Sequence, residues 1–559
     1  MIRSELCIMK SFNKVDKTIC LSSIVFSVIL VAWNSLAGDS FTEITGAIFN
    51  TMNGLFGWLF LAGYNFFVVA MIILACTKYG KVRLCKNHND KPQYSLMTWV
   101  AMMFASGLGV GLTYYGIYVT LDHYYAPPFA LAPQSSDAWR VGLTYATWYH
   151  ALHPWAGYSI VGLIIAYFAY NRNIGGLFST PLINLFRAKN PSDSITDHTW
   201  YGKIIDSYVI ILTLVGVCAS YAIACAMIGS GLDHVFGIHH DMMLRLVILA
   251  ICSVILCLSC NSGVSKGMAL MSDWNLYLCY ILLGMFIVFG PTIKILKGVI
   301  QGTGDLLIYF IPMSFFLDAT GSTQAAIGWD FARDWPIMLL AFFMAWTPFV
   351  GIFIAKISRG RTIREFVLGS IFVPAVFALM WNTVIGTTAI TMDIESGGAL
   401  MQLINKEWSS CLFILFKNMP LTAVLSLVAL VLCVTFILTS CDSADYCISV
   451  LSCRGDIDPP ATLRVVWAVI MGIFATIFLV GGAKAIQNIQ GIATLPMFFI
   501  IPLMFLGFLR AMKADYHNIY RKQIRIMELE ELRKLDSSIT EEDRRKMGLD
   551  SRQDMPPTI

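Results

Sequence analysis

The chain has 559 residues, 57% of them hydrophobic and only 13% charged, against roughly 25% charged in an ordinary soluble domain. That balance excludes a soluble protein and describes a polytopic membrane protein, and a net charge of +4 is too small to imply a nucleic-acid partner. Fifteen cysteines, an odd count lying mostly in apolar stretches, argue against a disulfide framework. The CxxC at Cys257 and Cys260 has no partner histidines and is read as packing.

A helix needs about 20 apolar residues to cross the hydrocarbon. Twelve stretches qualify, near 18–37, 53–76, 95–120, 141–170, 206–232, 242–261, 275–296, 335–356, 366–388, 421–443, 464–484 and 491–511. The first follows Lys10, Lys14 and Lys17, but no small-residue cleavage site closes it and the next connection is acidic, so it is read as a retained span. In the third, "FASGLGVGLTYYG" places Gly107, Gly109 and Gly111 within five residues. Two readings compete there: a small-residue packing face, or an unwound segment lining a cavity at membrane depth. The fourth carries "TWYHALHPWAGYSIVGL", an aromatic cluster with two histidines and a proline in its middle. An intramembrane ionisable residue is a functional candidate.

Residues 299–333 are too polar to span and carry an apolar face, which suits a helix along the outer membrane surface, and 400–417 has the same character. The tail from Lys513 to about Arg545 reads as a helix, either a solvated stalk or a lipid-sensing element. Basic residues recur in alternate connections (78–86, 172–189, Lys266, 356–364, Arg454 and the tail). With twelve spans, this places both termini in the cytoplasm.

Four stretches, "LHPWAGYSIVGL", the glycine break, "SGVSKGMALMSD" and above all "AWTPFVGIFIAKISRGRTIREFVLGSIFVPA", resemble the betaine/choline/carnitine transporter family from about residue 20 to 512. The resemblance implies an all-α membrane protein of 12 transmembrane helices built on a 5+5 inverted-repeat core, the sodium-symporter-like fold. On that plan residues 1–17 are a cytoplasmic N-terminus, 18–94 two peripheral helices, and 95–298 and 335–511 the two repeats. Residues 299–334 are a surface connecting helix and 512–559 a cytoplasmic tail. It also implies a homotrimer in the plasma (inner) membrane, in contact with lipid.

The function implied is secondary active transport of small zwitterionic or quaternary-ammonium compounds, by Na+-coupled symport with alternating access. Ion-independent exchange, and transport of a non-trimethylammonium zwitterion such as taurine, stand as alternatives. A quaternary ammonium has no N–H to donate and is held by aromatic faces. The family's aromatic box falls on His150, Trp155 and Tyr158 of the fourth span and Phe343 of the eighth, with Phe342 and Trp346 beside it and Gly107, Gly109 and Gly111 facing it. His150 and the Phe342–Phe343 pair stand where the family usually has tryptophan. His150 is then either a substituted wall residue or a determinant of altered specificity, and His153 is expected as a structural hydrogen-bonder.

Sodium is the coupling ion the resemblance implies, with proton coupling, for which Asp442 is a candidate carrier, left as an alternative, and no organic cofactor is implied. Its expected ligands are Thr439 and Ser440 in the tenth span, Phe436 one turn before them, and the carbonyls of Ala105 and Leu108 in the third. The competing reading is that both hydroxyls bond back to their own helix. Asn275 falls where ion-independent members carry an arginine, and Asp442 is expected in a gating or structural network. A second family sodium site needs two hydroxyls in the fifth span, where Thr213 is followed by Val217. A channel would need a pore lined by rings of one polar type, and an enzyme a nucleophile or metal set; neither HExxH nor a glycine-elbow serine is present.

Overall fold

The computed structural model describes residues 15–86, 90–107, 111–190, 199–262, 264–481 and 483–520. Among these, eleven helices are long and apolar enough to cross a membrane. The expected third span is present as two shorter helices, α3 (Leu96–Gly107) and α4 (Gly111–Tyr125), on either side of residues 108–110. Leu108 and Gly109, both expected in the break, lie outside the described residues, as do the N-terminal residues 1–14 and the tail beyond residue 520.

The remaining principal helices are numbered with those two in chain order. They are α1 (Lys17–Leu36), α2 (Gly38–Cys76), α5 (Ser136–His150), α6 (Leu152–Ala166), α7 (Trp200–Phe236), α8 (Met242–Ser262), α9 (Val264–Phe289) and α10 (Thr292–Ser314). They continue with α11 (Met338–Ile357), α12 (Val373–Glu395), α13 (Thr422–Ser452), α14 (Ala461–Gly481), α15 (Ala483–Thr494) and α16 (Met497–Asp515). The chain is an all-α polytopic membrane protein.

Three expectations change. The acidic connection after the first span is helical, because α2 begins at Gly38 directly after Ala37 and its charges, Asp39 and Glu43, are tolerated in its first turns. The connecting helix expected from residue 299 to 333 instead runs Thr292–Ser314, since Gly290 and Pro291 end the preceding helix there. The segment 400–417 is only partly a surface element: Cys411, Leu412, Phe413, Leu415 and Phe416 are buried.

α6 and α11 pack backbone to backbone. A Cβ on Gly351 would lie 2.6 Å from Val161 Cγ1, and one on Gly162 would lie 2.9 Å from the Gly351 carbonyl oxygen. Only glycine on both helices allows that approach, and it brings the fourth and eighth spans together around the expected site.

The "ISRGRTIRE" motif builds a clamp at one end of the bundle. Gly360 turns the chain at φ +86°, where a non-glycine residue is strained. Thr362 and Glu365 form a reciprocal capping box that starts the next helix. The motif pairs with the connection after α2 through Leu84 N–H to Arg361 O (2.8 Å), Ile363 N–H to Val82 O (2.9 Å) and Gly360 N–H to Leu84 O (3.0 Å). The Arg361 guanidinium lies 4.1 Å over the Trp99 ring and donates to the carbonyls of Tyr94 and Ser95. Arg364 donates to Ala75 O at 2.9 Å.

Further ion pairs join the helices. Arg464 bridges Asp442 at 2.8 Å and Asp445 at 2.9 Å, all three buried. Asp442 therefore sits in a charged network, as expected. Arg172 pairs with Asp515 at 2.8 Å, and Lys203 with Asp16 at 3.2 Å. The helix expected to end at residue 511 thus continues to a buried ion pair on the core.

Candidate solute and ion site

Pro154 has no N–H to offer the carbonyl of His150, and its ring crowds that carbonyl. The fourth span accordingly stops as α5 at His150 and restarts as α6 at Leu152, with Ala151 between them at φ −88°, ψ −120°. Around the break the polar aromatics divide by partner. Trp148 Nε1 donates to Ser314 Oγ (3.0 Å), the Tyr149 hydroxyl pairs with His123 Nε2 (3.2 Å), and His153 Nε2 pairs with Asn65 Oδ1 (2.9 Å). These three tie the span to α2, α4 and α10, which is the structural role expected of His153.

His150 belongs to a different group. Its Nδ1 lies 2.8 Å from Ala146 O, and its ring stands edge-on to Phe343 at 5.6 Å and beside Tyr115 at 6.3 Å. Tyr115 contacts Phe342 at 6.2 Å, which in turn contacts Phe343 at 5.5 Å and Trp346 at 5.4 Å. Trp346 Nε1 is held by Ser220 Oγ at 3.2 Å. Trp155 and Tyr158 form a second group one turn on: their rings meet at 5.5 Å and 80°, and Trp155 also meets Phe104 at 6.1 Å. A Cβ on Gly107 would lie 2.7 Å from the Trp155 ring, so the indole rests on the glycine. Gly111 sits instead against Tyr115. The structure gathers His150, Phe342, Phe343 and Trp346 into one ring cluster; among the described residues no ring contact joins Trp155 or Tyr158 to it.

A cavity of about 230 Å³ opens beside the first cluster, below the roughly 300–1,000 Å³ of drug-sized sites and on the scale of a small solute. Tyr115, Phe342, Trp408 and Phe478 supply aromatic wall, and Arg245 and Gln490 supply polar groups. Gln490 is buried, and among the described residues its Nε2 has no hydrogen-bond partner. Arg245 Nε donates to His240 Nε2 at 2.8 Å, and the His240 imidazole is held below its ordinary value by burial and by that guanidinium. The sequence reading missed Tyr115, Arg245, Trp408 and Gln490. Their only signals were a tyrosine inside the quoted glycine stretch, one charge opening the sixth span, a tryptophan in the 400–417 segment and a glutamine just before the twelfth span.

Of the expected ion ligands, Ala105, Phe436, Thr439 and Ser440 lie together, and Leu108 is outside the described residues. Thr439 Oγ1 lies 3.2 Å from Ala105 O and 3.0 Å from Phe436 O, and Ser440 Oγ lies 3.5 Å from Ala105 O. Thr439 also reaches its own helix at Thr435 O, 3.0 Å away, so contacts across and along the helix coexist. Asn275 Nδ2 donates to Thr439 Oγ1 at 3.3 Å, while its buried Oδ1 has no partner among the described residues. In the fifth span Thr213 bonds back to Val209 O at 2.8 Å. The cluster at Thr439 offers hard oxygens of the kind alkali cations take. It joins α3 two residues before Gly107, the seat of Trp155.

A family model described as "BCCT, betaine/carnitine/choline family transporter" matches residues 18–517. The chain is 31% identical over 490 residues to an ectoine/hydroxyectoine transporter of Virgibacillus pantothenticus, covering 87% of this chain and 94% of that protein. It is 31% identical over 501 residues to the glycine betaine transporter OpuD of Bacillus subtilis, covering 89% and 95%. With the osmo-dependent choline transporter BetT2 of Acinetobacter baylyi it shares 28% over 497 residues, covering 88% and 70%. These relatives are membrane transporters and not enzymes, and the chain belongs to the betaine/carnitine/choline transporter family.

Proposed function

We propose that this transporter moves small zwitterionic or quaternary-ammonium solutes by Na+-coupled symport with alternating access. The observation that carries the coupling is the junction on α3. Ala105 O faces the hydroxyls of Thr439 and Ser440, and Gly107, two residues on, seats Trp155. Sodium held by Ala105, Phe436, Thr439 and Ser440, with Leu108 as the further expected ligand, fixes the end of α3 and thereby the indole against it. Asn275, beside this cluster, is uncharged and cannot stand in for a cation, which favours ion coupling over ion-independent exchange.

Solute is bound between the two ring groups. Trp155 and Tyr158 offer one aromatic face, and His150, Phe342, Phe343 and Trp346 the other. The cavity at Tyr115 and Phe342 is the approach, where Arg245 receives the solute carboxylate. The two five-helix repeats, 95–298 and 335–511, move against each other around this site, with 18–94 peripheral. Both termini lie in the cytoplasm of a plasma-membrane protein, consistent with basic segments at 78–86 and 356–364 that meet in the clamp. Along α10 the exposed stripe Ile293, Leu296, Ile300, Leu307 and Ile311 offers an apolar surface for a homotrimer.

Uptake of radiolabelled glycine betaine or ectoine into proteoliposomes tests this reading. It should need an inward Na+ gradient, should not be sustained by K+, and should be lost in Thr439→Ala. Full uptake or exchange without Na+ contradicts the coupling.

A further inference from the structure

His150 carries an acceptor that none of the described residues uses. Its Nδ1 lies 2.8 Å from the carbonyl oxygen of Ala146, which can only accept, so Nδ1 bears the hydrogen and Nε2 bears the lone pair. The residue is buried, and among the described residues Nε2 has no hydrogen-bond partner. Its ring neighbours are Phe343 and Tyr115, and among the described residues no carboxylate is in contact with it. An imidazolium there would be an uncompensated buried charge, so the ring is neutral. A buried acceptor without a donor is costly, and persists where something outside the chain satisfies it.

We propose that the solute this site selects is a zwitterion whose cationic group carries an N–H, a secondary or tertiary ammonium or a cyclic amidinium carboxylate, with His150 Nε2 accepting that hydrogen. The proposal rests on His150 lining the solute site. Tyr115, the ring beside His150, also walls the cavity that Arg245 lines, and Arg245 there offers the solute carboxylate a partner. A fully methylated ammonium is attracted to the rings but has no hydrogen for Nε2 and leaves that acceptor unpaired. The substitution of histidine for an aromatic wall residue therefore adds a requirement on the solute as well as removing a π-face.

N,N-dimethylglycine and glycine betaine differ by one methyl, which replaces the N–H. Binding of each, and of ectoine, to purified full-length protein is measured by calorimetry in saturating NaCl. Wild type should bind dimethylglycine about tenfold tighter than betaine, the scale of one charge-assisted hydrogen bond, even though betaine has the larger apolar surface. His150→Phe, which keeps a ring and removes the acceptor, should erase or reverse that preference; His150→Gln, which keeps a side-chain acceptor, should retain it. Betaine bound as tightly as dimethylglycine by wild type, or a preference that survives in His150→Phe, overturns the proposal. If His150→Phe does not fold, the wild-type ratio alone decides. Folded wild-type protein that binds none of the three solutes removes the solute site proposed above, and this inference with it.

Discussion

At the residue scale the account turns on which side chains are held by the protein and which are left for the solute. Trp148, Tyr149 and His153 are spent on Ser314, His123 and Asn65, whereas Trp155 rests on Gly107 with its ring against Tyr158. Replacing Trp155 by alanine should cost about 2 kcal/mol of solute affinity, the worth of a desolvated cation–π contact, measured by calorimetry on folded protein; unchanged affinity would remove Trp155 from the site. Gly107→Val should displace the indole and weaken solute binding, because even a Cβ would stand 2.7 Å from it.

His240 gives a pH dependence. Arg245 donates to its Nε2, which requires the neutral ring, and burial together with that guanidinium holds its pKa below the ordinary value. The folded protein thus resists protonation more than the unfolded chain does. The contact is intact at neutral pH and above, and is lost as pH falls through the lowered value. Carboxylate affinity at the cavity should be flat above neutrality and change only on acidification, and His240→Asn should shift that acid limb; a titration centred above neutrality contradicts the assignment.

Helices and connections show where the sequence was readable and where it was not. The proline of the fourth span was noted but not read as a break, although its missing N–H is what ends α5 at His150; the unwinding expected at the third-span glycines falls on residues 108–110, outside the described residues. The start of α2 was missed since Asp39 and Glu43 look like a loop on hydropathy alone, and the seventh span was drawn through Gly290 and Pro291 because apolar residues continue beyond them. The aromatic set was named as residues, but its arrangement was not legible. Five positions separate His150 from Trp155 across a kink whose angle no spacing encodes, and they fall in different ring groups. Tyr115, Arg245, Trp408 and Gln490 come from four distant segments and meet only in the folded bundle.

The family's most specific motif is a structural clamp. Arg361 combines one cation–π contact with two carbonyl acceptors, so Arg361→Ala should cost about 2–4 kcal/mol of stability, read as a lower melting temperature in detergent. The solute affinity of the folded fraction should stay near wild type, since Arg361 lies in the clamp and not at the rings. A large affinity loss at wild-type stability would place it in the site instead.

For the whole molecule, the claim is that one short piece of α3 makes ion and solute binding interdependent. Ala105 faces Thr439 and Ser440 on α13, Gly107 faces Trp155 on α6, and Asn275 on α9 closes on the same threonine. The packing that holds these helices in place includes the Gly162–Gly351 approach of α6 and α11 and the buried Arg464 pair with Asp442 and Asp445. Linkage then requires reciprocity: the factor by which Na+ tightens solute is the factor by which solute tightens Na+. The direct measurement is a pair of calorimetric titrations on purified protein, a saturably bound zwitterion at low and high Na+ with K+ held as counter-ion, and Na+ without and with that zwitterion. The account predicts the same enhancement, about tenfold or more, from both directions in wild type, and its loss from both in Thr439→Ala. Solute affinity that is independent of Na+ in wild type, or an enhancement that persists in Thr439→Ala, would contradict it.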